Sequence, residues 1–329
     1  MLVAVLGVTP KLAKRGTNFL HALLVHFYGS CSIISARTVD DIKTLWPVDD
    51  PGVIYFEEPP HLPAIEFLLK NNIRTVALVS TFSAASLELL LEGCLAPLDA
   101  VRATSRSFSA IAETVAAGNG LIVHTESGTQ ELKQVLSKIA SFLGLSASSE
   151  AARRPPPQKQ INALSDAFSA GTLEEATAGL AKRLLSELKG YDQLLECRPN
   201  YCVHWPNSTF HLTDKDATLA TDYIELTGPA RLLVFGPYMG LPRGRWIAAP
   251  AITVADNLSG NNITIDISTN LGTEVLAKVK AKLPAEGEYW CEIAFEMPHS
   301  HLPIEVRLFL DQGAIEGKLR FNSVTLRRQ

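Results

Sequence analysis

Residues 2–28 decide the fold of the first half of the chain and read LVAVLGVTPKLAKRGTNFLHALLVHFY. Residues 2–8 form a short, continuous apolar run, which is typical of a strand buried on both faces. From Thr17 to Tyr28 the apolar residues recur at the spacing of an amphipathic helix. A buried strand, a loop and a helix in this order predict the first unit of a parallel α/β sheet.

The same alternation continues to about residue 144. Short apolar runs predict further strands at 33–35, 53–56, 75–79 and 121–123, and helical spacing predicts helices at 62–71, 82–91, 108–116 and 130–143. Gly144 stands where a glycine would end the last helix. We therefore expect a mainly parallel sheet covered by helices on both faces, the three-layer α/β arrangement.

After residue 145 the composition changes. Residues 146–160 contain Arg-Arg-Pro-Pro-Pro, a polar linker stiffened by proline, and Thr172 and Glu175 form a capping-box pattern that predicts a helix from Thr172 to Glu196. From Tyr201 onward helical spacing largely stops, and eight short strands are predicted at 223–226, 231–235, 245–254, 263–268, 275–283, 289–296, 304–310 and 318–326. They predict an all-β sandwich of jelly-roll type. The predicted domains are 1–148 (α/β), 149–200 (linker and helix) and 201–329 (sandwich).

Composition and charge exclude several classes of protein. The 329 residues are 47% hydrophobic and 19% charged, and the net charge of −4 lacks the basic excess of a nucleic-acid-binding protein. The apolar opening run is too short for a membrane span and has no signal-peptide cleavage pattern. Five cysteines without CxxC spacing predict a reduced, cytoplasmic protein, in which the sequons at Asn207, Asn257 and Asn262 are chance matches.

The predicted loop between the first strand and the first helix offers groups for an anion. Gly16 would allow close backbone approach, Thr17 and Asn18 would add side-chain donors, and Lys14 would add positive charge at a helix N-terminus. The carboxyl end of a strand in an open parallel sheet is also where ligands bind. The alternative interpretation is an ordinary helix start with a turn glycine.

The same segment resembles the phosphosulfate-binding loop of PAPS-dependent sulfotransferases. Residues 13–18 stand where that P-loop-like family has P-K-S-G-T-T, and residues 60–63, Pro-His-Leu-Pro, resemble its K-T-H-L-P segment. Residues 122–126 and 136–145 resemble the strand-Glu segment and the closing FLGL helix of the family. The resemblance covers roughly residues 1–145. It implies PAPS or PAP as cofactor, with His61 as general base and Lys14 as electrostatic stabiliser of sulfuryl transfer.

The residues that the resemblance assigns to the cofactor are Lys14, Arg15, Gly16, Thr17, Asn18, Ser80 and Ser86. Two positions at which the family binds the 3′-phosphate of the cofactor carry other residues in this sequence. Ser80 stands where the family has an arginine, and Glu88 stands where it has a serine. A carboxylate facing a phosphate dianion repels it unless the helix turns the carboxylate elsewhere. Arg102 or Arg106 is the candidate substitute for the missing arginine.

The second half carries a segment, residues 235–246, that resembles a GPY-x-x-LP-x-G-R/Y pattern of jelly-roll modules appended to bacterial polysaccharide-modifying enzymes. Sugar-binding sandwiches stack aromatic rings on pyranoses and hold hydroxyls with planar polar groups. The candidates are Tyr238, Arg243, Trp246, Trp290 and Arg307. The alternative is that the aromatic residues belong to the core or to turns, and that Arg307 pairs with Glu305 on the surface. His299 and His301 have no evident third partner, so no metal site is predicted.

Two function hypotheses follow, with a third kept open. The first is a PAPS-dependent sulfotransferase acting on a saccharide or polysaccharide. The second is a non-catalytic glycan-binding or assembly protein of bacterial surface polysaccharide metabolism, which keeps the α/β domain as a scaffold. The third is a glycosyltransferase-like enzyme that uses a nucleotide sugar.

Overall fold

The computed structural model describes residues 1–46, 50–56, 60, 62–92, 95–125, 132–145, 184–188, 190–196, 201–213, 222–300 and 302–329. The predicted domain boundaries at residues 148 and 200, and the linker 146–160, lie outside these residues. The chain forms two compact units. One is an α/β unit and the other a β-sandwich, as the sequence predicts.

The α/β unit is built on a five-stranded parallel sheet. Its strands are β1 (Leu2–Gly7), β2 (Ser32–Ala36), β3 (Gly52–Phe56), β4 (Arg74–Val79) and β5 (Gly120–His124), in the order β2-β3-β1-β4-β5. The helices are α1 (Pro10–Tyr28), α2 (Val39–Leu45), α3 (Leu62–Lys70), α4 (Phe82–Leu91), α5 (Pro97–Thr114) and α6 (Leu132–Phe142). A π-helical turn, Val115–Asn119, joins α5 to β5. Every pair of neighbouring strands is parallel, so each strand needs a crossover, which the helices supply.

Helix α1 begins seven residues earlier than the apolar spacing predicts. Thr9 is its N-cap, with an extended backbone and a side chain that accepts a hydrogen bond from the Leu12 N–H, and Pro10 occupies the first turn. Both are strong helix-start signals. The expected loop at residues 11–16 is therefore wrong, because these residues are the first turns of a helix.

Gly16 lies on the buried face of α1, where the helix packs on the sheet. A Cβ at this position would approach the Leu78 side chain to 2.5 Å and the Val5 side chain to 3.0 Å. The absence of a side chain thus lets α1 lie close to strands β1 and β4. Gly16 serves close packing rather than the approach of the backbone to a ligand.

The sandwich consists of two antiparallel sheets. Its strands are β6 (Cys202–Pro206), β7 (His211–Leu212), β8 (Ile224–Glu225), β9 (Arg231–Phe235), β10 (Pro237–Met239), β11 (Gly244–Ala255), β12 (Asn262–Thr269), β13 (Glu274–Lys282), β14 (Gly287–Trp290), β15 (Ile293–Met297), β16 (Ile304–Leu310) and β17 (Lys318–Arg328). One sheet has the order β13-β12-β16-β9-β7, with β10 paired to β16. The other has the order β14-β11-β17-β6, with β15 paired to β11 and β8 to β17.

Apolar side chains at every second position place the core between the sheets. In β11 every second residue from Trp246 to Val254 is buried, whereas the residues between them are partly exposed. In β12 the isoleucines 263, 265 and 267 are buried, and their antiparallel neighbours in β16 are Leu310, Leu308 and Val306. This is the period-two pattern that predicts a sandwich.

Three local predictions differ from the structure. The strand predicted at 289–296 is two strands, β14 and β15, which both pair with β11. The helix predicted at 108–116 begins at Pro97. The helix predicted from Thr172 to Glu196 is interrupted, because Gly190 has a φ of +98° and precedes a separate short helix, α7 (Tyr191–Leu194). Residues 172–183 lie outside the described part.

Residues 95–109, the first part of α5 and its approach, belong to the same compact unit as the sandwich. A Cβ on Gly240 would lie 2.9 Å from the Arg106 Cα, and the Gly240 N–H donates to Ser105 Oγ at 3.0 Å. Arg102 donates to the Pro237 carbonyl at 2.7 Å. The glycine-rich segment 235–246 therefore forms the surface that receives this helix.

Candidate functional site

The carboxyl ends of β1 and β4 form the natural ligand position of the α/β unit. From β1 the chain crosses towards β2, whereas from β4 it crosses towards β5 on the opposite side of the sheet. Such a switch in direction opens a crevice between neighbouring strands. Thr9 and Thr81 follow the two strands and cap helices α1 and α4.

The residues predicted to cradle an anion do not form a cradle. Because residues 11–18 are helical, they divide between two faces of α1. Lys14 and Asn18, one turn apart, are exposed, whereas Gly16 and Thr17 are buried against the unit. The Thr17 hydroxyl donates to the Ala13 carbonyl at 2.9 Å, so it is already satisfied. The half-buried Arg15 lies between the two faces.

The N-terminus of α1 is occupied by a carboxylate of the protein itself. The Thr9 hydroxyl donates to Glu88 Oε2 at 2.6 Å, and Lys11 Nζ lies 3.5 Å from Glu88 Oε1. A helix N-terminus favours negative charge, and here Glu88 supplies it from α4. The sequence places Glu88 where a phosphate-binding serine is expected, and the structure directs its side chain towards the predicted anion position.

Ser80 and Ser86 have different surroundings. Ser80 follows β4 and is half-buried, whereas Ser86 lies on the buried face of α4 with 2% exposure. Both hydroxyl oxygens are buried and have no hydrogen-bond partner among the described residues. Ser86 therefore lies in the core of the α/β unit.

Arg102, the predicted substitute for the family's arginine, has its contacts within the sandwich unit. Its guanidinium donates to Asp99 Oδ1 at 3.0 Å, to His211 Nε2 at 2.9 Å and to the Pro237 carbonyl, all within the sandwich unit. His61, the predicted general base, lies outside the described residues. No group of three or more His, Cys, Asp or Glu side chains arranged to hold a metal occurs in the described ranges.

Trp246 is not a ligand-binding residue. Its side chain is 0% exposed, packs edge-to-face against Tyr201 at 5.5 Å and donates its indole N–H to the Pro242 carbonyl at 3.0 Å. The prediction that it stacks on a sugar is wrong, because the alternation of β11 turns it into the core. Arg243, in the turn just before β11, is exposed.

Tyr238 is held by its neighbours on both the ring and the hydroxyl. Its hydroxyl donates to the buried Glu305 carboxylate at 2.8 Å, and the Arg102 guanidinium lies 5.2 Å from the ring centroid. Burial, and then the bond to Glu305, raise the pKa of the Tyr238 hydroxyl. Its φ of +66° is unusual for an aromatic residue, so these contacts fix a strained conformation. The ring face covered by Arg102 is not free for a sugar.

Trp290 is the predicted aromatic candidate that remains accessible. It ends β14 and is 69% exposed, and the neighbouring Tyr289 is 38% exposed. Both line a cavity of about 240 Å³ between the two sheets, at the edge where β13 connects to β14. The sequence does not predict the cavity or the position of Tyr289 in its lining, because the lining residues come from strands that are distant in the sequence.

A polar cluster on the other face of the β12–β16 sheet contains Arg307, a predicted sugar-binding candidate, with Asp266 as a partner that the sequence does not predict. Arg307 binds Asp266 through two hydrogen bonds of 2.8 Å and donates to the Gly272 carbonyl. The hydrogen bond to Asp266 raises the pKa of Arg307. Arg307 and Asp266 are direct cross-strand partners, so only the strand register brings them together.

Comparisons with known proteins place the chain near no characterised family. No family model and no curated protein matches the sequence. An arabinose-bound GH51 α-L-arabinofuranosidase is 14% identical with a TM-score of 0.24, over 37% of this chain and 23% of that one. The C-terminal CBM6 of LamC from Zobellia galactanivorans is 11% identical with a TM-score of 0.25, over 38% and 98% of the chains. The mouse sulfotransferase SULT7A1, complexed with PAP, is 15% identical with a TM-score of 0.33, over 51% and 63%.

The chain thus spans about a quarter of the arabinofuranosidase and less than two thirds of the sulfotransferase. None of the helices in the described part of the chain has the length and apolar character needed to cross a bilayer.

Proposed function

We propose that this chain is a saccharide-binding protein whose sulfotransferase-like α/β unit does not bind PAPS. One observation carries the second half of the proposal: the Glu88 carboxylate accepts the hydrogen bond of the α1 N-cap and pairs with Lys11. The helix N-terminus that would receive a phosphate therefore already has its negative charge.

Electrostatics sets the size of this obstacle. Two unit charges 4 Å apart repel by about 4 kcal/mol at an effective dielectric constant of 20. A phosphate that approaches Thr9 and Lys11 would have to displace Glu88 or accept that repulsion. The position of the family's bidentate arginine is held by Ser80, so no compensating ion pair is available there.

The saccharide half of the proposal is supported by the exposed aromatic pair of the sandwich. Tyr289 and Trp290 are adjacent, lie at the rim of a cavity and leave ring surface open to solvent. Aromatic rings bury large apolar areas, and the apolar face of a sugar ring offers the matching surface. Trp246 is buried, and the Arg102 guanidinium covers the Tyr238 ring. Of the three aromatic candidates predicted from the sequence, Trp290 therefore remains available to stack on a sugar ring.

Binding of PAP to the full chain, followed by thermal unfolding, tests the first claim. A ligand that binds only the folded state at ~10 times its Kd stabilises by about 1.4 kcal/mol. We expect no change in the unfolding temperature of the wild type at about 1 mM PAP. A clear, saturable increase in the wild type would overturn the claim and would favour PAPS-dependent transfer, with His61 as the base to be tested by His61→Ala.

A glycan array with the wild type and Trp290→Ala tests the second claim. We expect binding of the wild type to at least one glycan and a loss of roughly tenfold or more in the variant, since stacked aromatic anchors contribute at least 1–2 kcal/mol. Trp46→Ala is the matched control, because Trp46 is a partly exposed tryptophan of the α/β unit. Equal binding by Trp290→Ala and the wild type would contradict the assignment.

A further inference from the structure

The cavity at the edge of the sandwich has a lining that points to a specific ligand chemistry. Its walls are Ile252 and Pro250 from β11, Ile263 and Ile265 from β12, Val279 and Ala281 from β13, and Leu283 and Pro284 from the connection to β14. All of these side chains are apolar. A sugar inserted here would bury its hydroxyl groups without partners, which is unfavourable.

The lining also contains residues with polar side-chain atoms. The Tyr289 hydroxyl already donates to the Glu286 carbonyl, at 2.5 Å, and Cys291 is a half-buried free thiol whose pKa is raised by burial. Lys282 is the lining residue that carries a charge at neutral pH, and its ammonium forms no ion pair among the described residues. The cavity therefore combines apolar walls with one cation.

We propose that this cavity binds the apolar chain of an amphiphile whose anionic head group pairs with Lys282. The volume of about 240 Å³ is smaller than the ~300–1,000 Å³ of pockets for drug-sized ligands, so a short alkyl or acyl segment fits better than a bulky ring system. Tyr289 and Trp290 would then cover the chain at the exit. This inference does not depend on the proposed function, because it concerns the apolar lining and Lys282 and not the stacking of a sugar ring on Trp290.

The test is a titration of the full chain with hexanoate, octanoate, octyl glucoside and methyl glucoside, followed by calorimetry. Burial of each methylene is expected to raise affinity about fourfold, so octanoate should bind roughly 16-fold tighter than hexanoate. Octanoate should also bind more tightly than octyl glucoside, because only octanoate has the charge for Lys282. Equal binding of hexanoate and octanoate, or binding of methyl glucoside as tight as that of octanoate, overturns the proposal. Octyl glucoside at least as tight as octanoate overturns the assignment of an anionic head group.

Variants on one strand locate the site. Ala281→Phe fills the cavity and should weaken octanoate at least tenfold, whereas Val275→Phe, on the same edge strand but outside the lining, should leave it unchanged. Lys282→Gln should weaken octanoate roughly 2–5-fold, as expected for a partly exposed ion pair, with Lys278→Gln as the matched control. Unchanged affinity in both Ala281→Phe and Lys282→Gln would place octanoate elsewhere.

Protection of Cys291 gives a readout that does not depend on any variant folding. The wild type is treated with N-ethylmaleimide, and modification of each cysteine is quantified by mass spectrometry of its peptide. Octanoate should slow modification of Cys291 and leave exposed Cys202 unaffected. Equal rates for Cys291 with and without saturating octanoate would refute occupation of the cavity.

Discussion

Replacement of Trp246 separates a core tryptophan from a ligand-binding one. Trp246 is completely buried, its ring meets Tyr201 edge-to-face, and its indole N–H is bonded to the Pro242 carbonyl. Truncation of a buried tryptophan to alanine destabilises by about 3–5 kcal/mol, and the carbonyl left without a partner adds roughly 1 kcal/mol. Trp246→Ala should therefore lower the free energy of unfolding of the sandwich by at least about 4 kcal/mol.

Scanning calorimetry measures this loss, because it follows the transition of the sandwich directly. For a domain of this size each kcal/mol corresponds to roughly 3–5 °C, so the transition should move down by about 12–20 °C. Trp246→Phe keeps most of the volume and removes the N–H donor, and it should cost only about 1–2 kcal/mol. Trp290→Ala, at an exposed position, should cost less than about 1 kcal/mol. A transition of Trp246→Ala within ~2 °C of the wild type would refute the buried assignment.

Four further predictions test other parts of the structure. Gly240→Ala should destabilise the sandwich unit by roughly 1–3 kcal/mol, because the new Cβ meets the Arg106 backbone at 2.9 Å, whereas Gly313→Ala, with its nearest atom at 3.4 Å, should be close to neutral in urea unfolding. The backbone N–H groups of Arg37 and Thr38 lower the pKa of Asp41 below its ordinary 3.8. The capping box of Asp41 therefore stabilises the folded protein above about pH 4, and this contribution is lost as the pH falls. The unfolding temperatures of the wild type and of Asp41→Asn should differ at pH 7 and converge near pH 3. Burial raises the pKa of Tyr191 above its ordinary 10, so the unfolded state loses the proton first and stability should fall as the pH rises above 10, with a shallower fall in Tyr191→Phe if the assignment holds. Arg307→Ala should lower the free energy of unfolding by about 3–5 kcal/mol, because it leaves Asp266 buried without its partner. The double variant Asp266→Ala/Arg307→Ala should lose less stability than the sum of the two single variants. Additive losses would show that the two side chains are not coupled.

The strand pattern of this protein could be predicted from the sequence because its cause is local. Residues 231–235 and 304–310 are short apolar or alternating apolar and polar stretches between turn residues. Both strands begin and end at the residues that this pattern predicts. The same alternation, applied to β11, would also have placed Trp246 in the core with Ala248 and Ile252. Its assignment to a sugar site came from residue type alone.

The start of α1 differs from the prediction because its cause is partly non-local. Thr9 and Pro10 are helix-start signals, and α1 begins at Pro10. Gly16 favours a start after it, at the predicted Thr17, because glycine is uncommon inside helices. Its real cause, the side chains of Val5 and Leu78 across the helix–sheet interface, is non-local and leaves no mark in the adjacent sequence. The partnership of Glu88 with Thr9 spans 79 residues and is equally invisible to a local pattern.

Helix α5 has a consequence for how the two units can be separated and recombined. Its first part packs with a sandwich that resumes, in the described residues, only at residue 184, whereas its last turn belongs to the α/β unit. A fragment cut after residue 145 would carry away the helix on which Gly240 and Pro237 rest, and a fragment that begins at residue 184 would start without it. The sandwich unit therefore cannot be exchanged as one continuous segment, because residues 95–109 of this unit lie in the sequence between two stretches of the α/β unit.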